Sequence, residues 1–432
     1  MKIKIYAVLA SILLSACGSG DKNKNNSANT QYFSQVQAVG YVYQQANGNR
    51  LLEGQSDLQS LSPVTIDLPA NIVWLNSVAS DNESIWSVML DNGNIKAFQV
   101  SSTNAKEISI SPNHSDTIVQ PTLVLTQQQQ VLIANVFADA SPYSSPVIVD
   151  KENGVRAYVA TNGDLVLKST NQEQRLSLNA LNYSRVLIDE QKRLLVLSQP
   201  TLSYNHQVLG QAHQNAARIS LVQTEPNLEV IRHININTPD VIEGNPLIWV
   251  DVDEDGDREI ITTLSNINQG ARIQVYNEDG SVYAQSTAIN LSYRWRHQIA
   301  VGPFKNASEI SLASVYIPHL GPVAEFFRLD DQSMSIENSG SITHSSHLSI
   351  SLNVDKTLAG DFDNDGKLEL VLVERNQQRQ LGMYEYNDGG ISLDWSLDLA
   401  GTVSSNLSAV RLNNNQLALG VGVGKQLQVW HP

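Results

Sequence analysis

From about residue 33 to the C-terminus, short apolar runs alternate with polar turn residues. Val, Ile, Leu, Tyr and Thr interleave with Ser, Asn and Gln. Turn pairs recur at Asn92-Gly93, Asn162-Gly163, Asp279-Gly280 and Asp388-Gly389. Alternation at period two buries one face of a strand, and Asn-Gly or Asp-Gly pairs suit tight hairpins. No stretch carries a sustained helical period. The pattern predicts an all-β chain.

A larger unit emerges when segments are aligned on one phrase: apolar strand, polar turn, apolar strand, third strand ending near an aromatic. Pro246–Asp251, Ile260–Leu264 and Ala271–Tyr276 form one copy; Thr357–Asp361, Leu370–Val373 and Gly382–Tyr386 form another. Weaker copies start at Pro146 and Arg185, and others near Asn71, His297 and Ser404. A spacing of roughly 40–60 residues fits a four-stranded propeller blade. The copies predict a single β-propeller of about seven four-stranded blades. The stretch from 105 to 145 resists division, so six or eight blades also fit. The C-terminal run Gln426–Trp430 reads as a third strand. That leaves room for an N-terminal strand, Val36 to Tyr43, to complete the last blade and close the ring against exposed edges.

The two clearest copies carry the same acidic loop. One runs Asp251, Asp253, Asp255, Gly256, Asp257, Glu259; the other runs Asp361, Asp363, Asp365, Gly366, Lys367, Glu369. Carboxylates stand at positions 1, 3, 5 and 9 around a Gly at 6. Four carboxylates in nine residues repel one another unless a hard cation gathers them, and oxygen-only ligands favour calcium. An EF-hand is excluded: position 12 is Thr262 or Leu372 instead of Glu, and the flanks are strands. The pattern resembles the calcium loops of FG-GAP and VCBS repeats, the blades of integrin α-type propellers. The resemblance implies two structural Ca²⁺ sites. Side-chain oxygens would come from Asp251, Asp253, Asp255 and Glu259, and from Asp361, Asp363, Asp365 and Glu369. Backbone carbonyls of Asp257 and Lys367 would complete them. The resemblance covers hairpins and blade rhythm; the Phe-Gly and Gly-Ala-Pro signatures are absent. Gly302–Ile310 and Asp150–Gly154 align with the loops but lack ligands, and read as the same hairpins without metal.

Composition adds a compartment. Lys2 and Lys4 precede an apolar stretch from Ile5 to Leu14, which reads as an export signal. Leu14-Ser15-Ala16-Cys17 resembles the lipobox of bacterial lipoproteins, and Cys17 is the single cysteine of the chain. The resemblance implies cleavage before Cys17 and lipidation there, with Gly18 after the Cys favouring the outer membrane. The expected division is a signal at 1–16, lipidated Cys and linker at 17–32, and propeller at 33–432. The net charge of −15 argues against nucleic acid, which needs a basic face. Membrane contact is expected through the lipid alone, and the protein is read as a monomer.

No catalytic constellation stands out: there is no Gly-x-Ser-x-Gly elbow, His-Glu-x-x-His or phosphate-cradling loop. The densest polar-aromatic segment is Tyr293–His297, with His344 and His347 downstream. Arg296, His297 and His347 are the candidate ligand-binding residues, placed where loops enter the channel. Two classes of function follow. One is a non-enzymatic binding or scaffold module with a protein or glycan partner in the envelope. The alternative is a carbohydrate-active protein, lyase-like or lectin-like, using the top face of the propeller.

Overall fold

The computed structural model describes residues 34–134, 137–206, 208–210, 214–330, 333–348 and 350–432. The expected signal, Cys17 and the linker lie outside the described residues. Among these residues every regular element is a strand, and none forms a helix long and apolar enough to cross a membrane.

The strands group into antiparallel meanders, most of them four-stranded, in a propeller-like arrangement. One contains Ile72–Ser80, Glu83–Leu90, Ile95–Val100 and Ala105–Ile108; another contains Val147–Asp150, Val155–Val159, Asp164–Lys168 and Glu173–Ser177. A nine-stranded sheet consists of two such meanders, Val186–Asn235 and Ile248–Gln285, linked through the short strand Val241–Ile242. Arg296–Ser341 and Leu358–Asp398 supply two more. Burial follows position within each unit. First strands such as Val147–Asp150 are buried along nearly their whole length, whereas the fourth, Glu173–Ser177, alternates. An inner strand packed on both faces reads as a continuous apolar run, and an outer one faces water on one side.

Neighbouring units share apolar cores. Ile72, Leu75 and Trp86 pack with Val410, Ala418 and Leu427. Ile299, Ala313 and Phe326 pack with Ala359, Leu370 and Tyr384. Trp74, Trp86, Trp249, Trp395 and Trp430, read from sequence as core, are all buried.

The N-terminal strand does not complete the last sheet as expected. Val64–Asp67 does, pairing antiparallel with Gln426–Trp430 in the register Val64↔Val429, Ile66↔Leu427. Val64 and Ile66 turn towards the core while Thr65 and Asp67 face outward, the alternation an outer strand needs. Val36–Gly40 pairs instead with Leu123–Thr126. That strand and Val131–Ile133 form a hairpin of only two strands in the stretch that resisted division. Unaided, so small a unit is at best marginally stable.

The chain from Gln35 to Leu51 then crosses the first strands of the other units. Gly40 lies against Asn76. The Gln44 amide bonds Ala409 O and receives its N–H. Ile188 N donates to Ala46 O at 3.0 Å and Trp249 N to Asn47 O at 2.9 Å. Asn49 brackets Val301 through both its amide groups, each at 3.0 Å, and Ala359 N donates to Arg50 O. Leu51–Gln55 runs parallel to Leu358–Asp361. The segment thus fills the space between the first strands.

Candidate functional site

Both acidic loops join the first strand of a unit to its second, between Ile248–Val250 and Glu259–Asn266 and between Leu358–Asp361 and Glu369–Glu374. They fold alike. Gly256 N donates to Asp251 Oδ2 at 3.0 Å, and Gly366 N to Asp361 Oδ2 at 3.1 Å. Asp257 N and Lys367 N each donate to the position-5 carboxylate at 2.8 Å. Val252 N and Phe362 N donate to the Glu at position 9, at 2.9 and 2.6 Å. Gly256 and Gly366 have φ of +96° and +87°. An added Cβ would meet nothing at either place, so backbone conformation rather than space demands glycine.

These bonds turn the carboxylates inward. One oxygen from each of Asp361, Asp363, Asp365 and Glu369 falls within a 4.8 Å cluster. In the first loop Asp251, Asp253 and Glu259 gather likewise. Asp255 stands outside that cluster. Glu259 and Glu369 are almost wholly buried. Burial, with the neighbouring carboxylates adding to it, pushes Glu259 up to about 7 and Glu369 up to about 9. Asp363 rises to about 6 by desolvation, the charge of Asp365 and its hydrogen bond to Asp394. Asp251 Oδ1 is buried without a hydrogen-bond partner. A hard-oxygen donor set, an orphaned buried oxygen and crowded carboxylates fit a Ca²⁺ ion, which would supply the missing countercharge.

Asp394 has no counterpart in the sequence reading. It sits in Gly390–Asp398 at a register shift, between Leu393, opposite Tyr384, and Trp395, opposite Met383. Only the strand pairing brings it to the loop, so spacing could not have found it.

The two ligand-free hairpins also form. Asp150 Oδ1 accepts from Glu152 N and Asn153 N. Between Arg296–Asn306 and Glu309–Tyr316, Lys305 Nζ lies 3.6 Å from Glu309 and 2.7 Å from Glu337. Ser311 faces Gly302 as Glu369 faces Gly360, so the position-9 glutamate is replaced here, and the Lys305 ammonium pairs with Glu309 and Glu337.

Arg296, His297 and His347 do not converge on an open cleft. Arg296 is buried and grips Glu325 through two bonds, 2.7 and 3.1 Å, above the Phe327 ring. His297 stacks on Trp295 with centroids 4.7 Å apart and bonds Ser346 Oγ. His319 Nε2 lies 2.7 Å from His347 Nδ1, and His347 Nε2 donates to Ser351 O at 2.7 Å. With Nε2 donating, His347 Nδ1 is bare and accepts from His319 Nε2–H, so His347 is neutral in this chain. Burial holds His347 down to about 3 and His319 to about 4, and His297 well below the usual range. Nearby, Asp355 is buried between Arg50 and Arg185, at 2.7 and 2.5 Å. These are internal polar networks.

The chain matches no known protein family, and no curated protein matches it. Among solved structures, it is similar to a chain in the crystal structure of the mitotic checkpoint complex, at 11% identity and a TM-score of 0.44. The match covers 87% of this chain and 96% of that one. So distant a likeness carries no reading of function.

Proposed function

We propose that this chain is a calcium-bearing β-propeller of eight blades that serves as a non-enzymatic binding and scaffold module in a bacterial cell envelope. Its partner is an envelope protein or glycan, and it is held at the outer membrane through lipidated Cys17. The twin acidic loops carry the proposal, because both fold alike and point their carboxylates at one spot. The Leu123–Ile133 hairpin, added to the seven units legible in sequence, and the pairing of Val64–Asp67 with the last strand support eight blades rather than seven.

Binding is favoured over catalysis because Arg296, His297 and His347 are committed to internal partners. The calcium reading is tested by melting the purified protein with and without EGTA. Chelation lowers the melting temperature, and the double variant Asp253→Ala with Asp363→Ala loses that response. An equal melting temperature in both buffers would sink it. The scaffold reading is tested by capture from membranes with the lipidated chain: a partner retained by wild type supports it, and turnover of an envelope polysaccharide would refute it.

A further inference from the structure

The N-terminal segment leaves a cavity of about 440 Å³ beside it, walled on the other side by residues 76–79 and 408–411. Its lining mixes aliphatic side chains, among them Val39, Leu51, Val78 and Val410, with a run of amides. Here Gln44, Gln45, Asn47, Asn49 and Ser77 face the space, with Tyr41 as the aromatic wall. The charged residues of the lining, Glu53 and Arg411, pair with each other at 3.0 Å. Neither an anion nor a cation finds an unmatched countercharge in this cavity, and a purely aliphatic ligand would leave its amides unpaired.

The amides retain bonding capacity. Gln45 donates one hydrogen to Leu51 O, which leaves its carbonyl and second N–H. Asn47 accepts from Asn49 N through Oδ1, which leaves its NH₂ group. Tyr41 stacks on Tyr43 at 5.7 Å and uses its hydroxyl in no bond among the described residues. Planar amides that donate and accept side by side match vicinal hydroxyls, and a tyrosine face suits the apolar side of a sugar ring. A second cavity of about 440 Å³ shares Tyr41, Gln45 and Asn47 and continues to Lys151 and Arg258. That second cavity is charged, with Lys151, Asp189, Glu190, Lys192 and Arg258 in its lining, so the neutral part of the groove is the first cavity, which meets it at Tyr41, Gln45 and Asn47.

We infer that this groove binds a neutral oligosaccharide, with Tyr41 as stacking platform and Gln45 and Asn47 as hydroxyl readers. The inference rests on the envelope-glycan branch of the function proposed above and assigns it a site. Calorimetric titration of the full calcium-loaded protein with neutral gluco-, manno-, galacto- and N-acetylglucosamine oligosaccharides tests it. At least one series binds, and Tyr41→Ala weakens it by about tenfold or more, as loss of a central aromatic contact does. Ala79→Trp fills the groove from the opposite wall and abolishes binding, with a melting curve of the same variant showing that the fold is retained. Arg294→Ala, on the opposite face, leaves binding intact. No binding in any series, or binding indifferent to Ala79→Trp, overturns the inference. A calcium-dependent melting temperature alongside that failure would leave the metal reading standing.

Discussion

Lys305 brings a positive charge to the hairpin that aligns with the acidic loops. Its hairpin repeats the buried aromatic of the second acidic loop, Phe304 for Phe362, but has Ser311 in the register of the ninth-position glutamate. The ammonium pairs with Glu309 and Glu337. Lys305→Ala therefore lowers the melting temperature equally with and without EGTA, unlike substitutions in the acidic loops. A second residue-scale expectation concerns protons. His319 and His347 titrate near 6.5 when unfolded but near 4 and 3 in the fold. Between those values the unfolded chain binds more protons, so stability is full above about 6.5 and falls as pH drops towards 3. Each tenfold difference in proton affinity between the folded and unfolded chain is worth about 1.4 kcal/mol. Urea melts from neutral to acid pH measure the slope, and His347→Gln flattens it.

At the scale of strands and hairpins, the contacts between units set the tolerances. Gly420 on Leu417–Val423 faces Trp86 of the neighbouring unit; an added Cβ would lie 2.3 Å from the indole. Gly420→Ala overpacks that seam and costs about 1–3 kcal/mol, read from a chemical melt. Much of this level was legible beforehand. Period-two alternation and turn pairs located the strands, and the acidic loops fell between first and second strands as their spacing implied. What escaped depended on partners remote in sequence. The Leu123–Ile133 hairpin lacks the strand count of its siblings because Val36–Gly40 contributes to its sheet. Val64–Asp67 is too short and too mixed to announce which edge it meets. Arg296 looked like a ligand because Glu325, its partner, lies 29 residues away on another strand. Asp394 joined the second loop only through a register shift.

For the molecule as a whole, the segment from Gln35 to Leu51 binds the units into one body. Its charge anchor is Arg50, which shares Asp355 with Arg185 in a dry setting, and burial draws the Arg50 guanidinium down to about 10. Asp355→Ala leaves two buried cations facing each other. By the precedent for broken buried pairs it costs about 3–5 kcal/mol. Arg50→Met costs less, because Arg185 still satisfies the carboxylate. Denaturant titration of both variants ranks them, and the reverse order would remove the segment's anchoring role.

That segment also dictates when the protein can finish folding. Tyr43 meets Val186, 143 residues on, and Gln44 meets Ala409, 365 residues on. Contacts so remote close late, because the chain entropy of such loops must be lost before they return anything. The segment is therefore made well before its partners at Val186 and Ala409, and is among the last to find its place. Its bonds are absent from the transition state, so Gln44→Ala speeds unfolding and leaves the refolding rate nearly unchanged in stopped-flow chevrons. Until those remote partners are in place, the space between the first strands stays unfilled.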